Sequence, residues 1–147
     1  MTTIKQKSQL LSISENKRYF VDADGKPFFW LGDTAWPLFS QYSLDEAERY
    51  LRRRAEQGFN VVKGVLAWPL GTMYEEEIPQ PNYNDERPWI DNNPLKPNKA
   101  YFDHVEHLVT FAAELDLFLN ILPIWGYHVN DLHMFTEESA RQHGALR

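Results

Sequence analysis

The chain of 147 residues contains no cysteine. That absence excludes disulfides, thiolate nucleophiles, Cys-ligated zinc and iron–sulfur clusters. Basic residues are outnumbered: 15 Lys and Arg stand against 21 Asp and Glu, a formal net charge of −6. A phosphate backbone needs a basic face, so the balance argues against a nucleic-acid partner and fits a neutral or cationic small molecule better. No stretch nears the ~20 apolar residues of a membrane span. The N-terminus, MTTIKQKSQLLSISENK, lacks the apolar segment of about 7–15 residues that marks a signal peptide. The expectation is a soluble, cytoplasmic protein with no membrane partner. G-x-S-x-G, P-loop and G-x-G-x-x-G motifs are also missing. Serine-hydrolase, nucleotide and Rossmann readings lose their main support, and no cofactor is expected.

What is present is apolar and aromatic. Hydrophobic residues make up 43% of the chain, enough to bury a core in one domain. Aromatics make up 14% and include five Trp. The stretch Phe28–Trp36, FFWLGDTAW, organises the reading. Its four leading apolar residues predict a strand buried on both faces. Gly32-Asp33-Thr34 and Trp36 then mark a strand exit, where α/β folds place ligand chemistry. The alternative is that Asp33 stabilises a turn and Trp36 is ordinary core.

Read in order, residues 1–10 are a flexible N-terminus, and 11–147 form the folded part. Leu11–Ser14 and Arg18–Val21 predict short strands. The strong turn Asp22–Lys26 follows them, giving a small β-hairpin that could plug the bottom of a larger sheet. Ser43 and Glu46 form a capping box for a helix to about Gln57, with Leu44, Ala47, Tyr50, Leu51 and Ala55 inside. Gly58 ends it. Val61–Leu66 is the second strand. Residues 68–98 hold six of the nine prolines and no clear period, which predicts a long functional or mobile loop. Asn98 caps a second helix over about 99–116, with a buried stripe of Phe102, Val105, Leu108, Val109, Ala112 and Leu115. Leu117–Trp125 is the third strand, and Thr136 caps a third helix. Strand, helix and strand with short joints imply parallel pairing.

Each strand ends in tryptophan: Trp36, Trp68 and Trp125. Parallel strands put those ends on one edge, so the three predict a shared aromatic-lined site suited to sugar C–H faces and hydroxyls. Asp33 could orient a ligand hydroxyl there. His128, Asn130, Asp131 and His133 form a polar cluster after the third strand. It could contact substrate; with no matching ligand pair on the first strand, no metal site is assigned. A metal-dependent hydrolase centred on His128, Asp131 and His133 is a third-ranked reading. His104 and His107 lie three apart on the second helix, where a solvated face is expected rather than zinc. The acidic runs Glu75–Glu77 and Asp85-Glu86 read as solvated loop, with a lid as the sharper option.

The segments GKPFFWLGDTAWPLF, AEQGFNVVKGVLAWP, YFDHVEHLVTFAAELDLFLNILPIWG and TEESARQHGALR resemble the apiosidase-like glycoside hydrolases from about Leu11 onward. The resemblance implies a TIM (β/α)8 barrel that removes sugars from plant cell-wall polysaccharides, its best-known members releasing apiose from pectin. It implies a carbohydrate substrate met by Asp33, Trp36, Trp125 and His128, with Trp68 added by its equivalent strand-end position. No residue here matches the family's two catalytic carboxylates. A barrel of this kind takes roughly 250 residues. The fold expected is therefore the N-terminal portion of a barrel, about three strand–helix units after a short β-hairpin, inactive alone. The alternative is a small α/β carbohydrate-binding module without catalysis.

Overall fold

The computed structural model describes residues 11–67, 79–124, 136–137 and 140–141. Three two-residue strands come first: β1 (Ser12–Ile13), β2 (Phe20–Val21) and β3 (Pro27–Phe28). They pair antiparallel in sequence order, so the expected hairpin is a three-stranded meander. The turn between β2 and β3 is held by Asp22, whose Oδ1 accepts from the Asp24 and Lys26 amides at 2.9 Å each. Gly25 supplies the positive φ of 77° that this turn needs.

The second sheet is parallel, in the order β4 (Gly32–Thr34), β5 (Val61–Ala67), β6 (Phe118–Ile124). Helices α1 (Leu44–Glu56) and α2 (Lys99–Glu114) connect the strands. The Phe28 ring meets Phe118 edge-on at 5.3 Å. Phe118 begins β6, so the meander sits at the N-terminal end of the parallel sheet, as the plug reading requires.

The expected buried strand from Phe28 through Leu31 is not formed. Phe28 belongs to β3, and residues 29–31 are the passage between the two sheets. Phe29 is 77% exposed, with Trp30 and Leu31 also exposed. The reason is positional: the pairing of β4 with β5 begins only at Gly32↔Val61, so residues 29–31 lie ahead of the parallel sheet and outside its core. Asn60 holds the passage in place. Its Oδ1 accepts from the Leu31 amide at 2.9 Å and its Nδ2 donates to the Phe29 carbonyl at 2.6 Å. One amide side chain thus replaces a rung of the ladder before β4 begins.

Both helices start and stop by local chemistry. Ser43 and Glu46 make the reciprocal capping box on α1, and Asn98 Oδ1 accepts from the Ala100 amide on α2. Both also end in the same two-bond cap. After α1, Phe59 N–H bonds Arg54 O and Gly58 N–H bonds Ala55 O, at 3.1 and 3.0 Å. After α2, Leu117 N–H bonds Ala112 O and Asp116 N–H bonds Ala113 O, at 2.9 and 3.2 Å. The left-handed residue is Gly58 in the first and Asp116, at φ 57°, in the second. Each cap delivers the chain directly into the next strand.

The core lies between the sheet and the helices. Ala35, Val62 and Leu66 pack with Ala47 and Leu51 of α1 and with Tyr101, Val105, Leu108 and Ala112 of α2. Three positions on α2 differ from expectation. Val109 is exposed, whereas Tyr101 and His104 are buried. The Tyr101 hydroxyl donates to the Leu66 carbonyl, which satisfies it and ties α2 to β5. His104 is not on a solvated face: neither ring nitrogen meets a hydrogen-bond partner. Burial, with help from nearby His107, lowers its pKa below the usual 6.5. His107 faces Glu48 of α1 at 2.7 Å.

The described part of the long loop, residues 79–98, is packed rather than loose. Trp89 and Asn82 are buried, and a single bridge pairs Trp89 with Pro97. Glu86 accepts from Asn98 Nδ2 at 2.8 Å, tying the loop to the α2 cap. Glu75–Glu77 and most of the predicted third helix lie outside the described residues; between two of its described residues, Ala140 N–H bonds Thr136 O at 2.9 Å. Among the described residues, no helix is long and apolar enough to cross a membrane.

The tightest fit in the core is at Gly64. A Cβ there would sit 2.9 Å from Cε2 of the fully buried Phe39 ring. Gly64→Ala should therefore destabilise the chain by about 1–3 kcal/mol, as overpacking does. The urea unfolding midpoint measures this; an unchanged midpoint would show that Phe39 yields freely.

Candidate functional site

Paired residues of a parallel sheet point to the same side, and successive residues alternate. The pairings Asp33↔Val62↔Leu119 therefore share one face. Val62 belongs to the helix-side core and Leu119 packs against it. Asp33 accordingly faces the helices. Thr34, Lys63 and Asn120 form the neighbouring row on the opposite face. Above it on that face are Val65 beside Leu122, then Ala67 beside Ile124.

The surroundings of Asp33 follow from this parity. Tyr50 and Arg54 are four apart on α1, so they share a face of the helix. The Tyr50 hydroxyl donates to Asp33 Oδ2 at 2.7 Å, and the Thr34 amide donates to Oδ1 at 2.8 Å. Arg54 Nε lies against Oδ2 as an ion pair. The Arg54 guanidinium in turn stacks over the Tyr50 ring, 4.7 Å from its centroid. Asp33, Tyr50 and Arg54 thus clamp the first parallel strand to the first helix.

The clamp shifts the ionisation of its members. The Tyr50 hydrogen bond, then the Thr34 amide and the Arg54 charge, outweigh burial and hold the Asp33 carboxyl below its ordinary 3.8. Burial first, and the Asp33 bond second, push the Tyr50 hydroxyl up to about 12.

The C-terminal edge of the strands is the place where ligand chemistry was expected. Trp36 lies just past β4 and is 38% exposed. Its carbonyl accepts from the Val65 amide at 3.0 Å, which fixes the strand exit beside β5. Ala67 and Ile124 are paired, so β5 and β6 end side by side. Trp68 and Trp125 follow those two residues directly in the chain but lie outside the described residues, as do His128, Asn130, Asp131 and His133. Among the described residues, no group of three His, Asp or Glu side chains could hold a metal ion. Sequence reading missed Tyr50 and Arg54 as partners of Asp33. The signal was available: their four-residue spacing, and the strand parity that groups Asp33 with Val62.

The depressed Asp33 carboxyl stabilises the fold fully above its ordinary value near 3.8, and that contribution is lost as pH falls below it. Asp33→Asn should cost about 1–2 kcal/mol at neutral pH, from the lost charge-assisted contacts. It should also flatten the acid limb below pH 3.8, read by circular dichroism. An unchanged acid limb would mean the carboxylate is not held by α1.

Comparison with known proteins adds the wider context. No curated protein is significantly similar. A solved glycoside hydrolase family 5 protein from Bacteroides vulgatus superposes with a TM-score of 0.76 at 27% identity, over 91% of this chain. A second solved structure, described as a glycoside hydrolase, also gives 0.76, at 29% identity over 91% of this chain. The chain spans only 28% and 29% of those two proteins, so it matches a fragment of a glycoside hydrolase TIM barrel. The model of the apiosidase-like catalytic domain matches residues 14–146. With nearly its whole length in that match, the chain belongs to the apiosidase-like catalytic domain family.

Proposed function

We propose that this chain forms part of a glycoside hydrolase acting on plant cell-wall glycans of the pectic class, and that it supplies one wall of the sugar pocket. The observation that carries this is the strand edge itself: three strands run parallel, β5 and β6 end side by side, and exposed Trp36 leaves the shorter β4 beside Val65. A flat apolar ring with an N–H donor suits the C–H face and hydroxyls of a pyranose or furanose. Trp68, Trp125 and His128 join that wall by their places just after the neighbouring strands. Asp33 shapes the wall from behind, because its carboxylate is engaged by α1.

Glycoside hydrolysis needs two carboxyl groups facing each other across the scissile bond. Among the described residues, Asp33 is the only acid on the three parallel strands, and it faces the helices. We assign both catalytic carboxyl groups to barrel strands beyond those described.

The purified 147-residue chain, incubated with apiose- or arabinose-substituted pectic oligosaccharides, should release no sugar above buffer, while its tryptophan fluorescence responds to the glycan. Trp36→Ala should reduce that response severalfold. Sustained turnover by the chain, abolished in Asp33→Ala, would overturn the assignment of the carboxyl groups. A fluorescence signal indifferent to every glycan would overturn the pocket wall.

A further inference from the structure

Lys63 occupies an unusual place. It is the third residue of the central parallel strand, half-buried, on the sheet face opposite the helices. The parity is independently marked by its neighbour: a Cβ on Gly64 would strike Phe39 in the helix-side core, so Lys63 points the other way. Along the strand it stands between Val61 and Val65, which are 1% and 0% exposed. A charge between buried valines costs free energy unless water or a counter-charge meets it. Among the described residues, no carboxylate is within ion-pair distance of its ammonium.

Its lateral neighbours are also polar. The register puts Thr34 of β4 on one side and Asn120 of β6 on the other. Rows of apolar residues lie below, Val61 beside Phe118, and above, Val65 beside Leu122. A single row across the sheet therefore combines a hydroxyl, an ammonium and a side-chain amide. All three can donate hydrogen bonds, and the one formal charge is positive. Thr34 is exposed, so solvent reaches the end of the row.

We propose that Lys63, flanked by Thr34 and Asn120, is a carboxylate-binding position that makes this sheet face prefer an acidic sugar over a neutral one. This rests on the sugar-pocket reading above. Height along the strand fits. Lys63 lies two residues below Val65, whose amide bonds the Trp36 carbonyl. Two residues are about 6.6 Å of parallel strand, within reach of a four-carbon stem lying along apolar surface. The chain carries a net charge of −6 and repels anions at long range, so a preference for acids has to be generated locally.

The test is NMR titration of the purified chain with D-glucuronate and with D-glucose, following the Asn120 side-chain amide, the Lys63 ε-methylene and the Trp36 indole. Glucuronate should shift Asn120 and Lys63 saturably, with an apparent Kd about tenfold below that of glucose, the size of one charge-assisted hydrogen bond. Raised salt should weaken glucuronate binding and leave glucose unchanged. Lys63→Arg should keep the preference, and Lys63→Met should abolish it. Asn120→Asp, which places a competing carboxylate beside the ammonium, should abolish it in a chain that keeps Lys63. Equal affinity for the two sugars, or a preference that survives Lys63→Met, overturns the carboxylate position and leaves the Trp36 wall standing. No response to either sugar overturns both.

Discussion

The parallel register of Gly32–Thr34, Val61–Ala67 and Phe118–Ile124 decides what every side chain on the sheet can do. It sorts alternate residues into a face sealed by two helices and a face turned away from them. Asp33 falls on the sealed face, where Tyr50 and Arg54 take up its carboxylate. The same register sets Trp36 at the strand exit beside Val65 and puts Lys63 between Thr34 and Asn120. Charge on the helix-side face is thus engaged by α1, and Lys63 stands on the other face.

The elements that sequence reading anticipated are those built from local chemistry. Ser43 with Glu46, Gly58 and Asn98 each act within one turn of the chain, so their types and spacings alone announce helix ends. The parallel pairing of the first two long-range partners, β4 and β5, followed from the short joints on either side of α1. What was not legible depended on distant partners. Phe29, Trp30 and Leu31 look like buried strand, yet they are exposed because the parallel pairing starts only at Gly32. His104 looks like surface and is buried, because Tyr101 and Leu108 turn that side of α2 to the core. Asp33 looks like a site residue because it precedes a tryptophan. Its partners, 17 and 21 positions further on, appear only when helix spacing and strand parity are combined.

The motif from Gln57 to Val61 shows how family sequence and physical role coincide. Gly58 closes α1, Phe59 completes the cap and stacks under Arg54, and Asn60 pins the backbone of residues 29–31. Five consecutive residues thus join the end of one helix to the start of two strands. The chain belongs to the apiosidase-like catalytic domain family, and its strand edge carries the exposed Trp36. The Asp33 clamp holds that edge from the helix side.

The most direct measurement of this division is a double-mutant cycle on stability between Asp33→Ala and Tyr50→Phe. If the carboxylate belongs to the fold, the two substitutions are strongly non-additive, with a coupling of about 1 kcal/mol or more, and glycan binding at Trp36 is weakened only as far as the strand exit loosens. Additive effects on stability, with glycan binding lost in Asp33→Ala alone, would contradict it and return Asp33 to the sugar.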